Sequence, residues 1–400
     1  MSHQVDQAPH GARLARAEAG WRPSWWPPLL AWLSATAVVL TTCAVAGWPP
    51  FAPITTWARQ DSFLYLSIAR HGYTLGICSE LNQHIDGAWC GNSGWFPAYP
   101  WIVGGLHRLG LPLAGTALAI SWLAGLGTLI VLWRAFLAGR GALGAGVALC
   151  YAAFAPGLVY AYADFPLSLV TFSAVVSLAL LQRRRWLASG IAAAVAALAY
   201  PIGLAVAPAG AVWVLTERGA ARWERLRRLA LVAVPSLLGL AGFALAQRLE
   251  TGRWNAYLLA QQKYGHQLRD PLTAIGTAVR MFVHSPFLAR PSLADLDQLA
   301  SASSLQTLLV AFVVVCVVVE LAVRRGATVR DDTLIAVWAV LAWLLLYTGS
   351  QVHTYRGETA LLPIAVLVRR LPAPLAIAIT AVAVLLVVPM TQLYLADALR

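Results

Sequence analysis

Apolar residues recur in runs of roughly 17–25 along nearly the whole chain, the length a helix needs to cross the hydrocarbon of a bilayer. The clear runs are Leu29–Ala46, Ala114–Trp133, Leu143–Tyr160, Leu167–Leu181, Leu229–Leu245, Leu305–Val323, Leu334–Tyr347 and Leu375–Val388. Two shorter regions, Leu187–Leu215 with a break at Tyr200-Pro201 and Thr359–Val368, read as arms of hairpins that turn back. Each arm of the first is about 14 residues, short of the roughly 20 that a full crossing takes. The pattern predicts an all-α polytopic membrane protein with about ten or eleven passes.

Arginines cluster between the spans at Arg13, Arg16 and Arg22, at Arg134 and Arg140, at Arg183–Arg185, at Arg218–Arg228, at Arg324, Arg325 and Arg330, and at Arg369 and Arg370. All fall on one side if every clear span crosses once and the two shorter regions form hairpins. The positive-inside bias makes that side cytoplasmic. The N-terminus then lies inside, and Trp48–Pro112 and Arg248–Ser304 form long outer loops. Residues 1–26 read as a polar cytoplasmic tail and 27–400 as a single membrane domain. Ala44-Val45-Ala46 has the small-residue look of a cleavage site, but the many later spans favour an uncleaved anchor.

Composition agrees. Hydrophobic residues make up 59% of the chain and charged ones 12%, against about 25% charged in soluble domains. Soluble-enzyme readings are excluded. The net charge of +12 is a consequence of the inner arginines, so it marks topology and not a nucleic-acid partner. Cys43, Cys150 and Cys316 fall inside apolar spans as small hydrophobes. Cys78 and Cys90 share the first outer loop, where they can pair as a structural disulfide or stay as free thiols.

In that loop Ile54–His71 has the pattern of a helix lying at the interface, ended by Gly72. Trp95, Phe96, Tyr99 and Trp101, with Pro97 and Pro100, form an aromatic stretch suited to the headgroup region. The Tyr200-Pro201 break and the Ser350–Gly357 turn place irregular backbone near the outer surface, which requires a wet or protein-lined cavity.

Three charged residues stand out on the outer side. Asp61 starts the interfacial helix, where it can act as a general base for a hydroxyl or simply cap the helix. Asp164 lies in the short turn Tyr160–Pro166, as a cap or as part of a site. Arg356 suits a phosphate oxyanion, with snorkelling or a pair with Glu358 as the plainer roles. The outer histidines His71, His84, His107, His266, His284 and His353 lack metal-ligand spacing, there is no DxD, and nothing reads as a nucleotide loop. No metal and no cofactor are expected.

Asp61-Ser62-Phe63-Leu64-Tyr65-Leu66-Ser67-Ile68-Ala69-Arg70-His71-Gly72-Tyr73, followed by Trp95-Phe96-Pro97-Ala98-Tyr99-Pro100, resembles the first-loop signature of the PIG-V-like mannosyltransferases. These are bacterial relatives of GPI mannosyltransferase 2 with the GT-C membrane fold. Asp164-Phe165-Pro166-Leu167, Ala260-Gln261-Gln262-Lys263-Tyr264 and Tyr355-Arg356 with Leu361-Leu362-Pro363 are similar to later elements of that family. Gln60 stands where the family has Trp, Tyr200-Pro201 where it has Thr-Arg, and the Cys78–Cys90 segment is not general.

The resemblance implies transfer of a hexose, mannose in particular, from a polyprenyl-phosphate donor to a glycolipid or glycan acceptor outside a bacterial plasma membrane, with inversion and without metal. It gives Asp61 the acceptor hydroxyl, Asp164 a supporting role, and Arg356 with Tyr355 the donor phosphate. His71, Tyr73, Trp95, Phe96 and Gln261 would line the substrate. A transporter or flippase of a lipid-linked sugar, or an inactive scaffold, remain the alternatives; a transporter calls for inverted repeats and polar residues at mid-span, whereas here polar residues sit in the outer loops.

Overall fold

The computed structural model describes residues 24–81, 87–217, 219–264, 270–284, 296–323, 330–349 and 354–397. Residues 1–23 of the tail, His84, Arg218, His266, Arg324, Arg325 and the 350–353 part of the last outer turn lie outside them.

In chain order, α1 is Trp26–Val45, and the first outer loop carries α2 (Ser62–His71) and α3 (Ala98–Arg108). Then come α4 (Leu113–Leu132), α5 (Ala142–Ala153), α6 (Leu167–Gln182), α7 (Trp186–Ala199) and α8 (Val206–Leu215). The rest is α9 (Arg222–Thr251), α10 (Ala256–Gln262), α11 (Pro271–Val283), α12 (Leu296–Val323), α13 (Arg330–Gly349) and α14 (Ala373–Leu395). Six of these, α1, α4 with its extension to Leu137, α9, α12, α13 and α14, are long and apolar enough to cross a membrane. Five shorter apolar helices accompany them among the described residues: α5, α6, α7, α8 with its Pro201 turn, and α11. The chain is a predominantly helical, multi-pass membrane protein.

The shorter helices explain where apolar runs misled. Leu143–Tyr160 is not one span: α5 stops at Ala153, because Pro156 cannot continue a helix and Gly157 takes φ +77. The chain then makes one turn, Val159–Tyr162, before α6. At Tyr200-Pro201 the backbone goes extended (φ −159°, ψ 152°), continues as a tight turn over Pro201–Ala205, and returns as α8. The expected helix Ile54–His71 is also two pieces. A wide turn covers Pro53–Trp57, and α2 begins only at Ser62, after Gln60 adopts φ +54. Gly72 does end α2, at φ +81.

Charges sort the loops into two sets. Asp332, fully buried at the start of α13, accepts from both Arg369 and Arg370. Arg140 meets Asp331 at 2.8 Å, while Glu217 takes Arg184 at 2.8 Å and also Arg228. Each of these pairs joins two segments read as inner. In the loop between α2 and α3, β1 (Leu75–Ile77) and β2 (Trp89–Gly91) form an antiparallel ladder with Gly76 opposite Cys90. A disulfide joins Cys78 to Cys90.

Candidate active site

Trp57 anchors the segment that delivers Asp61. Its side chain is completely buried, stacked on Tyr394 and edge-on to Trp122, and its indole N–H donates to the Pro50 carbonyl at 2.8 Å. The Trp57 carbonyl accepts from the Tyr394 hydroxyl at 2.6 Å and from the Asp164 backbone N–H at 3.3 Å. The left-handed turn at Gln60 then swings the chain into α2, with the Gln60 side chain accepting from the Tyr160 hydroxyl at 3.1 Å.

Asp61 stands at the N-cap of α2, but its side chain makes no capping hydrogen bond. Its carboxylate instead accepts from Nη1 of Arg356 at 2.7 Å. The guanidinium is 7% exposed and the carboxylate 35%, so the pair is walled on the arginine side and open on the aspartate side. The Tyr160 ring lies 6.0 Å from the guanidinium and 6.2 Å from the ring of Tyr355. Burial works against the Arg356 cation, but Tyr160, Asp61, Tyr355 and Tyr200 outweigh it, and the group is held above its ordinary value. Tyr65 and Tyr200 lie within electrostatic reach of Asp61.

The turn carrying Arg356 is fixed from behind by a buried network. Gln306 donates to the Tyr355 carbonyl at 3.0 Å and to the Glu358 carboxylate at 2.7 Å, and accepts from the Gly157 N–H at 2.8 Å. Thr307 and Tyr347 add hydroxyl donors to Glu358 at 2.7 and 2.8 Å. Glu358 is thus satisfied by neutral donors, and the plain Arg356–Glu358 pair is replaced by the reach of Arg356 to Asp61. Gly157 permits this approach, because a Cβ there would sit 2.4 Å from the Thr359 hydroxyl and 2.9 Å from the Tyr355 carbonyl.

The other expected site residues divide. Asp164 is completely buried, and neither carboxyl oxygen has a hydrogen-bond partner among the described residues. Burial pushes its carboxyl up to about 8, so near neutrality it is mainly protonated. It lies behind the Trp57 backbone, closed to solvent, where direct contact with a substrate is not open to it. His71 is exposed at the far end of α2, about 15 Å along the axis from Asp61 at 1.5 Å per residue. The buried Tyr73 donates its hydroxyl to the Trp95 carbonyl at 3.1 Å. Phe96 packs on Phe243 and Tyr257, and Trp95 on Tyr264. The Gln261 amide is engaged by the Gly94 carbonyl. These residues build the wall and hold α10 against the first outer loop.

Residues that the sequence reading did not place in the site are Tyr65, Tyr160, Tyr200 and Lys263. The signal for Tyr200 was present in the break beside Pro201; Tyr65 and Lys263 lay inside the segments singled out by resemblance and Tyr160 at the start of the Asp164 turn, without a role of their own. Burial pushes the Lys263 ammonium down and the charge of Asp61 pushes it back up. Among the described residues no group of three or more His, Cys, Asp or Glu comes together to hold a metal ion.

The fold is that of a polytopic, GT-C-like bundle of membrane helices. The chain is similar in fold to ArnT from Cupriavidus metallidurans, solved bound to undecaprenyl phosphate, with TM-score 0.53 and 15% identity. The match covers 87% of this chain and 59% of ArnT, so the chain spans about six-tenths of that protein's length. The oligosaccharyltransferase of Archaeoglobus fulgidus, solved in the apo form, aligns with TM-score 0.46 and 13% identity over 95% of this chain and 56% of its own. No protein-family model matches the chain, and no curated protein matches it.

Proposed function

We propose that this protein is a membrane glycosyltransferase that moves a hexose from a polyprenyl-phosphate donor to a glycolipid or glycan acceptor. The observation that carries the reading is the half-open Asp61–Arg356 pair, a carboxylate with a free face beside a sheltered cation. The fold of ArnT, which binds undecaprenyl phosphate, supports the lipid-phosphate donor, and the first-loop resemblance supports mannose.

In this reaction the acceptor hydroxyl oxygen attacks the anomeric carbon from the face opposite the phosphate. The carbon–oxygen bond to phosphate breaks and the lipid phosphate leaves with the electron pair, so the configuration inverts. The hydroxyl proton passes to Asp61. Arg356 meets the phosphate and stabilises its charge in a low-dielectric setting, the part a metal plays with nucleotide sugars. Tyr355 and Tyr160 hold the guanidinium in place. Asp164 acts from the interior, packed behind the Asp61 segment. The site faces the outside of a bacterial plasma membrane with the N-terminus in the cytoplasm.

The test is sugar transfer by membranes supplied with polyprenyl-phosphate-mannose, comparing the wild type with Asp61→Asn. Transfer by the wild type that drops at least a hundredfold in the variant is expected for loss of a general base. Equal transfer by both removes the reading.

A further inference from the structure

Lys263 is the only lysine in the sequence; every other fixed side-chain cation is an arginine. It follows α10 directly and is half buried. Its ammonium lies 3.8 Å from Cys90 Sγ and 4.9 Å from the ring centre of Tyr264. A disulfide sulfur and an aromatic face are weak partners for a compact, strongly hydrated cation. Among the described residues no carboxylate lies within ion-pair distance of it. Asp61 is nevertheless near enough for the two charges to act on each other, and Tyr264 feels both Asp61 and Arg356.

Asp61 and Arg356 cancel in formal charge, and a protonated Asp164 adds none. Lys263 thus adds a positive charge that no carboxylate of the described residues meets at ion-pair distance. Taking a cation even partly out of water without a counter-charge is costly, and an anionic ligand relieves that cost.

We propose that Lys263 receives the donor's phosphate together with Arg356 and stabilises the charge that grows on it as the sugar departs. The proposal rests on the glycosyltransferase reading above. A sugar-linked lipid phosphate is a diester with one negative charge. When its bond to the anomeric carbon breaks, it becomes a monoester whose second ionisation lies near pH 6, and its charge approaches −2. The acceptor proton meanwhile neutralises Asp61 and loosens that residue's hold on Arg356. A cation that interacts more strongly with the leaving phosphate than with the bound diester lowers the barrier to transfer.

Three structural contacts hold the lysine in position. Gln261 ties α10 to Gly94, the Cys78–Cys90 disulfide stiffens the hairpin beneath the ammonium, and Arg253 stacks 4.3 Å over Trp89 on the same hairpin.

The experiment uses the full-length protein in nanodiscs, with undecaprenyl phosphate as probe and uncharged undecaprenol as control. Lys263→Gln should weaken binding of the phosphate lipid about tenfold and leave undecaprenol unchanged, and Lys263→Arg should restore most of the loss. Equal binding of undecaprenyl phosphate by wild type and Lys263→Gln overturns the assignment of Lys263 while leaving the enzyme reading intact. Absence of binding to the wild type removes both. A second measurement needs no variant. An amine-reactive ester can label only Lys263 and the chain's N-terminus, and undecaprenyl phosphate should slow labelling of Lys263 several-fold. An unchanged rate under saturating lipid overturns the proposal.

Discussion

Arg356 and Asp61, 295 positions apart in the chain, meet through a 2.7 Å hydrogen bond between Nη1 and a carboxylate oxygen. The cation lies in the buried half of the pair and the anion in the accessible half. A donor phosphate that engages Arg356 must share it with Asp61, and the two ligands of the guanidinium carry the same charge. Asp61→Asn should therefore lower the rate of transfer by two or more orders of magnitude and leave the affinity for undecaprenyl phosphate equal or improved. Titration of lipid against rate in the same preparation separates the effects, and a parallel loss of affinity would count against the shared arginine.

The network behind Arg356 should be as sensitive as the pair itself. Glu358→Leu removes the buried acceptor that Gln306, Thr307 and Tyr347 share, at a cost of about 2–4 kcal/mol. The thermal midpoint in detergent should fall by several degrees, and Glu358→Gln, which keeps an acceptor, should fall less. Equal midpoints for Glu358→Leu and wild type would show that the network is slack.

Asp164 should give stability a pH dependence of unusual sign. Its carboxyl titrates near 8 in the fold and near 3.8 when exposed. Between those values the folded protein binds the extra proton, so stability declines as pH rises, by up to about 1.4 kcal/mol per pH unit. Asp164→Asn removes the dependence and should be the more stable protein at pH 8, by a margin that shrinks toward pH 4. A constant difference between the two proteins across that range would contradict the burial.

The disulfide reports both stability and sidedness. Closing the segment from Cys78 to Cys90 is worth about 3 kcal/mol by loop entropy. Reduction should loosen the hairpin and make proteolysis after Arg253 faster. On intact cells, a membrane-impermeant maleimide should label Cys78 and Cys90 after reduction and not before. Labelling that appears only after lysis would place this loop, and Asp61 with it, in the cytoplasm.

Much of the helical architecture was readable because apolar runs are long and the arginines cluster in the short segments between them. Helix ends were less so. The run Leu143–Tyr160 gives no hydropathy signal at Ala153, and only Pro156-Gly157 marks the stop. Asp61 and Arg356 could each be singled out locally, yet neither local pattern contains the other. Lys263 sits in a segment noted only for its likeness to a motif, and its closeness to Asp61 depends on α10 docking against the first outer loop.

Hydropathy acts through nearest neighbours and through the bilayer, so the amino-acid order alone determined that this chain is a bundle of membrane helices. Which side chains face each other is set by how helices far apart in the chain pack, through contacts such as Trp57 against Tyr394 and Gln306 against Glu358. That packing decided that Asp61 would hold an arginine and leave its helix uncapped, that Asp164 would be sealed inside, and that the sole lysine would stand within electrostatic reach of Asp61.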